Sequence, residues 1–144
     1  MRFLLIGWIL LACVVVSNAQ STKFYSTKGV AINGFDPVAY FMDKKAAEGN
    51  DNYIYQWSGS AWKFTSQANL NQFKQNPEKY APQFAGYCAY GCSENHKSPS
   101  DPRAWTIVDN KLYLNYNMEV KKMWLVENAD KIKKANAYWS TQIK

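Results

Sequence analysis

The chain reads as a single α+β domain in which two β-hairpins are interleaved with helices and a helix closes the C-terminus. Three observations predict this. Residues 51–66 alternate aromatic and polar side chains around a Ser-Gly turn. Residues 105–116 repeat that pattern around Asp109-Asn110. Each apolar-alternating stretch is followed by a residue suited to cap a helix, Ser66 and Asn117. Period-two patterning followed by a cap and a period-3.6 stretch places strands and helices in one layered fold.

In chain order, Gly29 to Gly34 predicts a short strand closed by glycine. Asp36-Pro37 has the form of an N-cap followed by proline at the first helical position, opening a short helix through Val38-Ala39-Tyr40-Phe41. Tyr53, Tyr55 and Trp57 form one face of the first hairpin, Ser58-Gly59-Ser60 its turn, and Trp62 and Phe64 the return strand. Ser66 caps a helix over Gln67 to Asn76 with Leu70 and Phe73 on one face, and Pro77 ends it before a short turn through Tyr80. Residues 81–103, rich in Gly, Pro, Ser and Cys, read as a structured loop region. The second hairpin pairs Trp105–Val108 with Leu112–Tyr116. Asn117 caps a C-terminal helix with Val120, Met123 and Trp124 facing inward, broken or restarted at Asn128-Ala129-Asp130 before Ile132, Ala135 and Trp139.

Residues 1–19 have the composition of a secretory signal: Arg2, an uncharged apolar run from Phe3 to Val16, and small residues at Ser17 and Ala19 before a cut. The run is shorter than the roughly 20 residues needed to span a bilayer. Lipidation at Cys13 is an alternative, but Val14-Val15-Val16 continues the apolar core past that cysteine. The expectation is an exported protein, periplasmic or secreted, with no transmembrane span in the mature chain and a flexible leader over residues 20–29. Two cysteines would remain in a compartment where disulfides persist.

The chain has 144 residues with 17 basic and 11 acidic side chains, for a formal charge of +6. Only Arg2 and Arg103 are arginine, which argues against nucleic acid as a partner, because arginine supplies most bidentate base and phosphate recognition. Lys121, Lys122, Lys131, Lys133 and Lys134 fit a solvated helix face. A phosphate-binding glycine loop, a nucleophile elbow and a two-histidine metal motif are all absent from the sequence.

What remains is one short constellation. Cys88, Cys92 and the single histidine, His96, follow a Cys-x3-Cys-x3-His spacing. Positions four apart share a helical face, so the three side chains converge if the segment is helical, and two thiolates with an imidazole suit copper(I) or zinc(II). A Cys88–Cys92 disulfide is a second reading, since helical spacing of four puts the α-carbons about 6 Å apart. Burial of Cys88 as a small apolar residue beside an exposed His96 is a third. A thiol enzyme, with Cys88 as nucleophile, His96 as base and Asp101 or Glu94 orienting it, rests on residue type alone.

Several ordered motifs resemble the exported YHS domain-containing proteins of bacteria: Gly34-Phe35-Asp36-Pro37-Val38-Ala39-Tyr40-Phe41, Trp57-Ser58-Gly59-Ser60-Ala61-Trp62-Lys63-Phe64, Asn76-Pro77-Glu78-Lys79-Tyr80 through Gly86-Tyr87-Cys88-Ala89-Tyr90, and Leu112-Tyr113-Leu114-Asn115-Tyr116. The resemblance implies a YHS-like domain over residues 30–144 and a link to metal handling. Metal-binding members of the broader family carry a cysteine before Pro-Val and two more at a helix start; those positions are Asp36, Thr65 and Ala68 here. The resulting expectation is a non-enzymatic domain that binds copper or zinc through Cys88, with Cys92 and His96 as co-ligands. The alternative is an interaction or small-ligand-binding module, its partner an exported protein and its cysteines structural or disulfide-bonded.

Overall fold

The computed structural model describes residues 23–143, and the proposed signal segment lies outside them. Its strands are β1 (Ser26–Thr27), β2 (Val30–Ala31), β3 (Asn50–Trp57), β4 (Ser60–Phe64), β5 (Asp101–Val108) and β6 (Lys111–Asn115). Its helices are α1 (Ala39–Met42), α2 (Gln67–Gln75), α3 (Pro77–Tyr80), α4 (Ala89–Ser93), α5 (Met118–Leu125) and α6 (Asn128–Ser140). A four-stranded sheet runs β1-β2-β4-β3, with β2 parallel to β4 and the other pairs antiparallel, and β5–β6 form a separate hairpin. This is the expected α+β domain.

Both hairpins turn where expected, and for the expected reason. Ser58 and Gly59 have φ of 51° and 79°, and Asp109 and Asn110 have φ of 49° and 58°. Two consecutive left-handed residues match the twist of the flanking strands. Ser60, expected in the first turn, instead begins β4. The caps also form: Ser66 Oγ accepts from Asn69 N at 3.1 Å and Asn117 Oδ1 from Val120 N at 2.8 Å.

Four expectations need correction. Ile32-Asn33-Gly34 is a left-handed turn after β2, not strand. The stretch expected to be a flexible leader holds β1 and buries Phe24 against Trp57 and Trp62, at centroid distances of 5.3 and 5.0 Å. The loop region contains a helix, α4, and the start of β5. The C-terminal helix breaks at Val126 and Glu127, whose φ is 57°, and restarts at Asn128 as expected, but Met123, expected inside, is 52% exposed. Trp124, one position later, takes the buried place.

The core has two centres. One gathers Phe73 against Tyr55, Trp57, Trp62 and Phe64, joining α2 to the large sheet. The other packs Phe84, Tyr113 and Trp124 with Ala89, Cys92 and Ala135 between α4, β6 and the last two helices. The small residues on α4 and α6 let those helices approach closely, which holds the cysteine segment against the second hairpin.

Candidate functional site

Residues 84–86 set up the cysteine segment. Phe84, Ala85 and Gly86 all have positive φ (53°, 50° and 80°), and this reversal is tied down by Ser100 Oγ donating to Gly86 O at 2.6 Å. Cys88 N then donates to Ser98 O at 3.0 Å, so the segment is clamped at both ends before α4 begins. Cys88 is the N-cap of α4: its Sγ accepts from Gly91 N at 3.4 Å and donates to Asn115 Oδ1 at 3.6 Å. Asn115, at the end of β6 and fully buried, also accepts from Tyr90 N at 3.0 Å. Its Nδ2 has no hydrogen-bond partner among the described residues.

His96 follows the turn at Asn95, where φ is 63°. His96 N donates to Gly91 O at 3.1 Å, folding the chain back over α4. Its Nδ1 lies 3.4 Å from the Glu94 carbonyl. A carbonyl only accepts, so this contact favours the tautomer with the proton on Nδ1 and a free lone pair on Nε2. Nε2 sits over Gly91, 3.4 Å from where a Cβ on that residue would stand. Cys88, Gly91, His96 and Ser98, with Tyr116 and Val120 across from them, line one cavity of about 280 Å³.

Cys92 is elsewhere. It is fully buried in the second core centre and does not line that cavity. Burial, reinforced by the neighbouring Cys88 and only partly offset by Lys97, pushes its thiol up to about 12. The structure therefore brings Cys88 and His96 to one cavity and leaves Cys92 outside it. Both cysteines are free thiols, so the disulfide reading is not realised here. Among the described residues, no three His, Cys, Asp or Glu side chains are grouped to hold a metal ion.

The carboxylates considered for a thiol enzyme are not arranged for it. Asp101 accepts from Arg103 N at 2.8 Å, and Glu94 approaches His96 through its backbone carbonyl alone. The lysines of α5 and α6 are engaged locally: Lys122 with Glu119 at 3.2 Å, Lys134 with Asp130 at 2.9 Å, and Lys121 over the Trp105 ring at 5.7 Å.

A second constellation stands where the resemblance places the family thiols. Asp36 is fully buried. Its Oδ1 caps α1 by accepting from Val38 N and Ala39 N at 2.8 and 3.2 Å. Its Oδ2 accepts from Thr65 N, Thr65 Oγ1 and Asn69 Nδ2 at 2.9, 2.9 and 2.7 Å. Five donors surround one carboxylate, joining α1 to the end of β4 and the first turn of α2. A metal ion would need free acceptors at this place, but the Asp36 oxygens are taken up by five donors and Thr65 Oγ1 already accepts from Asn69 Nδ2 at 3.2 Å, so this centre is not built for a cation.

The cap at Asp36 was legible in the sequence, and Thr65 was marked by its correspondence with a thiol position. Nothing local marked the partnerships of Asn69 and Asn115, because an asparagine bonded to a distant element has the same sequence neighbourhood as one that serves a turn.

Residues 38–84 match the sequence model of the YHS domain family. The matched segment runs from the start of α1 to the left-handed turn, so Cys88, Cys92 and His96 lie beyond it. No curated protein and no solved structure matches the chain.

Proposed function

We propose that the protein is an exported, non-enzymatic YHS-like domain that binds one copper(I) ion through Cys88 Sγ, with His96 Nε2 as the co-ligand. One observation carries this reading: the thiol and imidazole nearest in sequence to the matched domain face the same cavity, with Cys92 withdrawn into the core. A thiolate and a neutral imidazole are soft and borderline donors, and copper(I) is satisfied by two of them. Zinc is a poor fit, because its sites supply at least three protein ligands. The Gly91 N–H already directed at Sγ would stabilise the thiolate, and the Glu94 carbonyl at Nδ1 leaves Nε2 free to coordinate. Binding displaces the thiol proton now donated to Asn115, so affinity rises with pH.

The test is an anaerobic copper(I) titration against a chromophoric chelator, run in parallel with zinc. One equivalent of copper is expected in the wild type and in Cys92→Ala. Cys88→Ser should lose it and His96→Asn should weaken it by roughly tenfold or more. Equal copper affinity in Cys88→Ser and wild type would overturn the reading, and stoichiometric zinc would overturn the choice of metal. Export is tested separately by N-terminal sequencing of protein recovered outside the cytoplasm, where the chain should start at Gln20.

A further inference from the structure

Cys88 is held by a residue that does not itself reach the cavity. Asn115, the last residue of β6, is fully buried and does not line the space that Cys88 and His96 face. Its Oδ1 nonetheless accepts twice, from Tyr90 N at 3.0 Å and from the Cys88 thiol at 3.6 Å. We infer that Asn115 is the positioning residue of the Cys88–His96 site, its amide oxygen fixing the direction in which Cys88 Sγ points. The inference rests on the copper reading for what the fixed sulfur does, and on these contacts for how it is fixed.

The start of α4 requires such a partner. The helix has five residues, and the N–H groups of its first turn have no carbonyl inside the helix to accept them. Caps are ordinarily oxygen side chains, and a thiol sulfur is a weak acceptor. Cys88 Sγ takes the Gly91 N–H at 3.4 Å. The Tyr90 N–H goes to Asn115 Oδ1, supplied by another element 25 positions away. The strand holds that oxygen in place: Leu112, Tyr113 and Leu114 precede Asn115 in the core, and Asp101 pairs with it across the hairpin.

Tyr90 also decides which end of the amide faces Cys88. With Nδ2 in the place of Oδ1, two donors would oppose each other at Tyr90 N, so the oxygen is kept towards the helix and the thiol. Sγ then stands between a donor, the Gly91 N–H, and an acceptor, Asn115 Oδ1. A turn of about 120° to either other staggered rotamer would carry it away from both. The arrangement leaves Asn115 Nδ2 buried with no partner among the described residues, which costs stability. Packing alone does not call for an amide here; the two bonds to its oxygen do.

The experiment compares Asn115→Leu, which keeps a similar volume and loses the oxygen, with Asn115→Asp, which keeps an acceptor. Two readouts use the protein without copper: the Cys88 Hα–Hβ couplings and hydrogen exchange at the Tyr90 amide. The third is the copper(I) titration against a chromophoric chelator. Wild type and Asn115→Asp should show one Cys88 rotamer and a protected Tyr90 amide. Asn115→Leu should show averaged couplings, Tyr90 exchange about tenfold faster and copper(I) binding about tenfold weaker. A single unchanged Cys88 rotamer in folded Asn115→Leu would overturn the inference, as would wild-type copper affinity in that variant. If Asn115→Leu does not fold, copper(I) added to the wild type decides: the Asn115 side-chain amide and the Tyr90 N–H should both shift, and unmoved signals would overturn it. A wild type that binds no copper overturns the copper reading itself, whereas equal binding by wild type and variant removes only the role of Asn115.

Discussion

Asp36 and Thr65, 29 positions apart, meet directly: the backbone N–H and the hydroxyl of Thr65 both donate to Asp36 Oδ2 at 2.9 Å. The contact ties the first helix to the end of the first hairpin. It occupies a place where the resemblance puts thiols, with a carboxylate held by donors alone.

Asp36→Asn tests that centre. The carbonyl oxygen can still cap α1, but the new NH₂ group faces two N–H donors, Thr65 N and Asn69 Nδ2, and a Thr65 hydroxyl that would have to turn to accept from it. Urea denaturation should show a loss of about 2–4 kcal/mol, with Thr65→Val losing about 1 kcal/mol. A loss below about 0.5 kcal/mol for Asp36→Asn would refute the role assigned to the carboxylate.

Alkaline pH should destabilise the protein. Burial raises Cys92 from an ordinary 9.0 to about 12, and Tyr113 and Tyr40 are raised in the same direction. Above pH 9 the unfolded chain loses the Cys92 proton while the native state keeps it, so that stability is complete below about 9 and declines towards 12. Unfolding free energies measured between about pH 8 and pH 11 should fall in the wild type and fall less steeply in Cys92→Ala. Identical slopes would rule Cys92 out as a source.

Gly91→Ala separates the histidine from the fold. The added methyl would stand 3.3 Å from His96 O and Ser98 Oγ and 3.4 Å from His96 Nε2. Alanine is the better helix former, so stability should stay within about 1 kcal/mol of wild type. The His96 ring resonances should nonetheless shift in a ¹H–¹³C spectrum. If they do not, the ring does not rest on Gly91.

Gly49→Ala should behave quite differently. A Cβ there would lie 2.5 Å from both Lys63 C and Phe64 N, backbone atoms of β4 that cannot swing aside. Gly49 N also donates to Gly34 O at 2.8 Å, which limits movement on its own side. The expected cost is about 2–3 kcal/mol, seen as a clear drop in Tm; a Tm within about 2 °C of wild type would contradict the close approach.

Local residue patterns were enough to specify the α+β class, both hairpins and the caps at Asp36, Ser66 and Asn117. Each of these depends on residues within a few positions of one another: alternation, a left-handed turn pair, a side-chain oxygen three residues before an N–H. The sequence also located Cys88, Cys92 and His96 as the only such cluster in the domain. Tertiary structure decided how they are divided. Four-residue spacing predicts convergence only on a continuous helix, but α4 begins after Cys88 and ends before His96. Cys92 is then drawn against α6 by core packing, and the turn at Asn95 returns His96 to the Cys88 side. The partnership of Asp36 with Thr65 and Asn69, and of Cys88 with Asn115, likewise depended on which elements pack together. A hydrogen bond across some thirty residues leaves no local pattern in the chain.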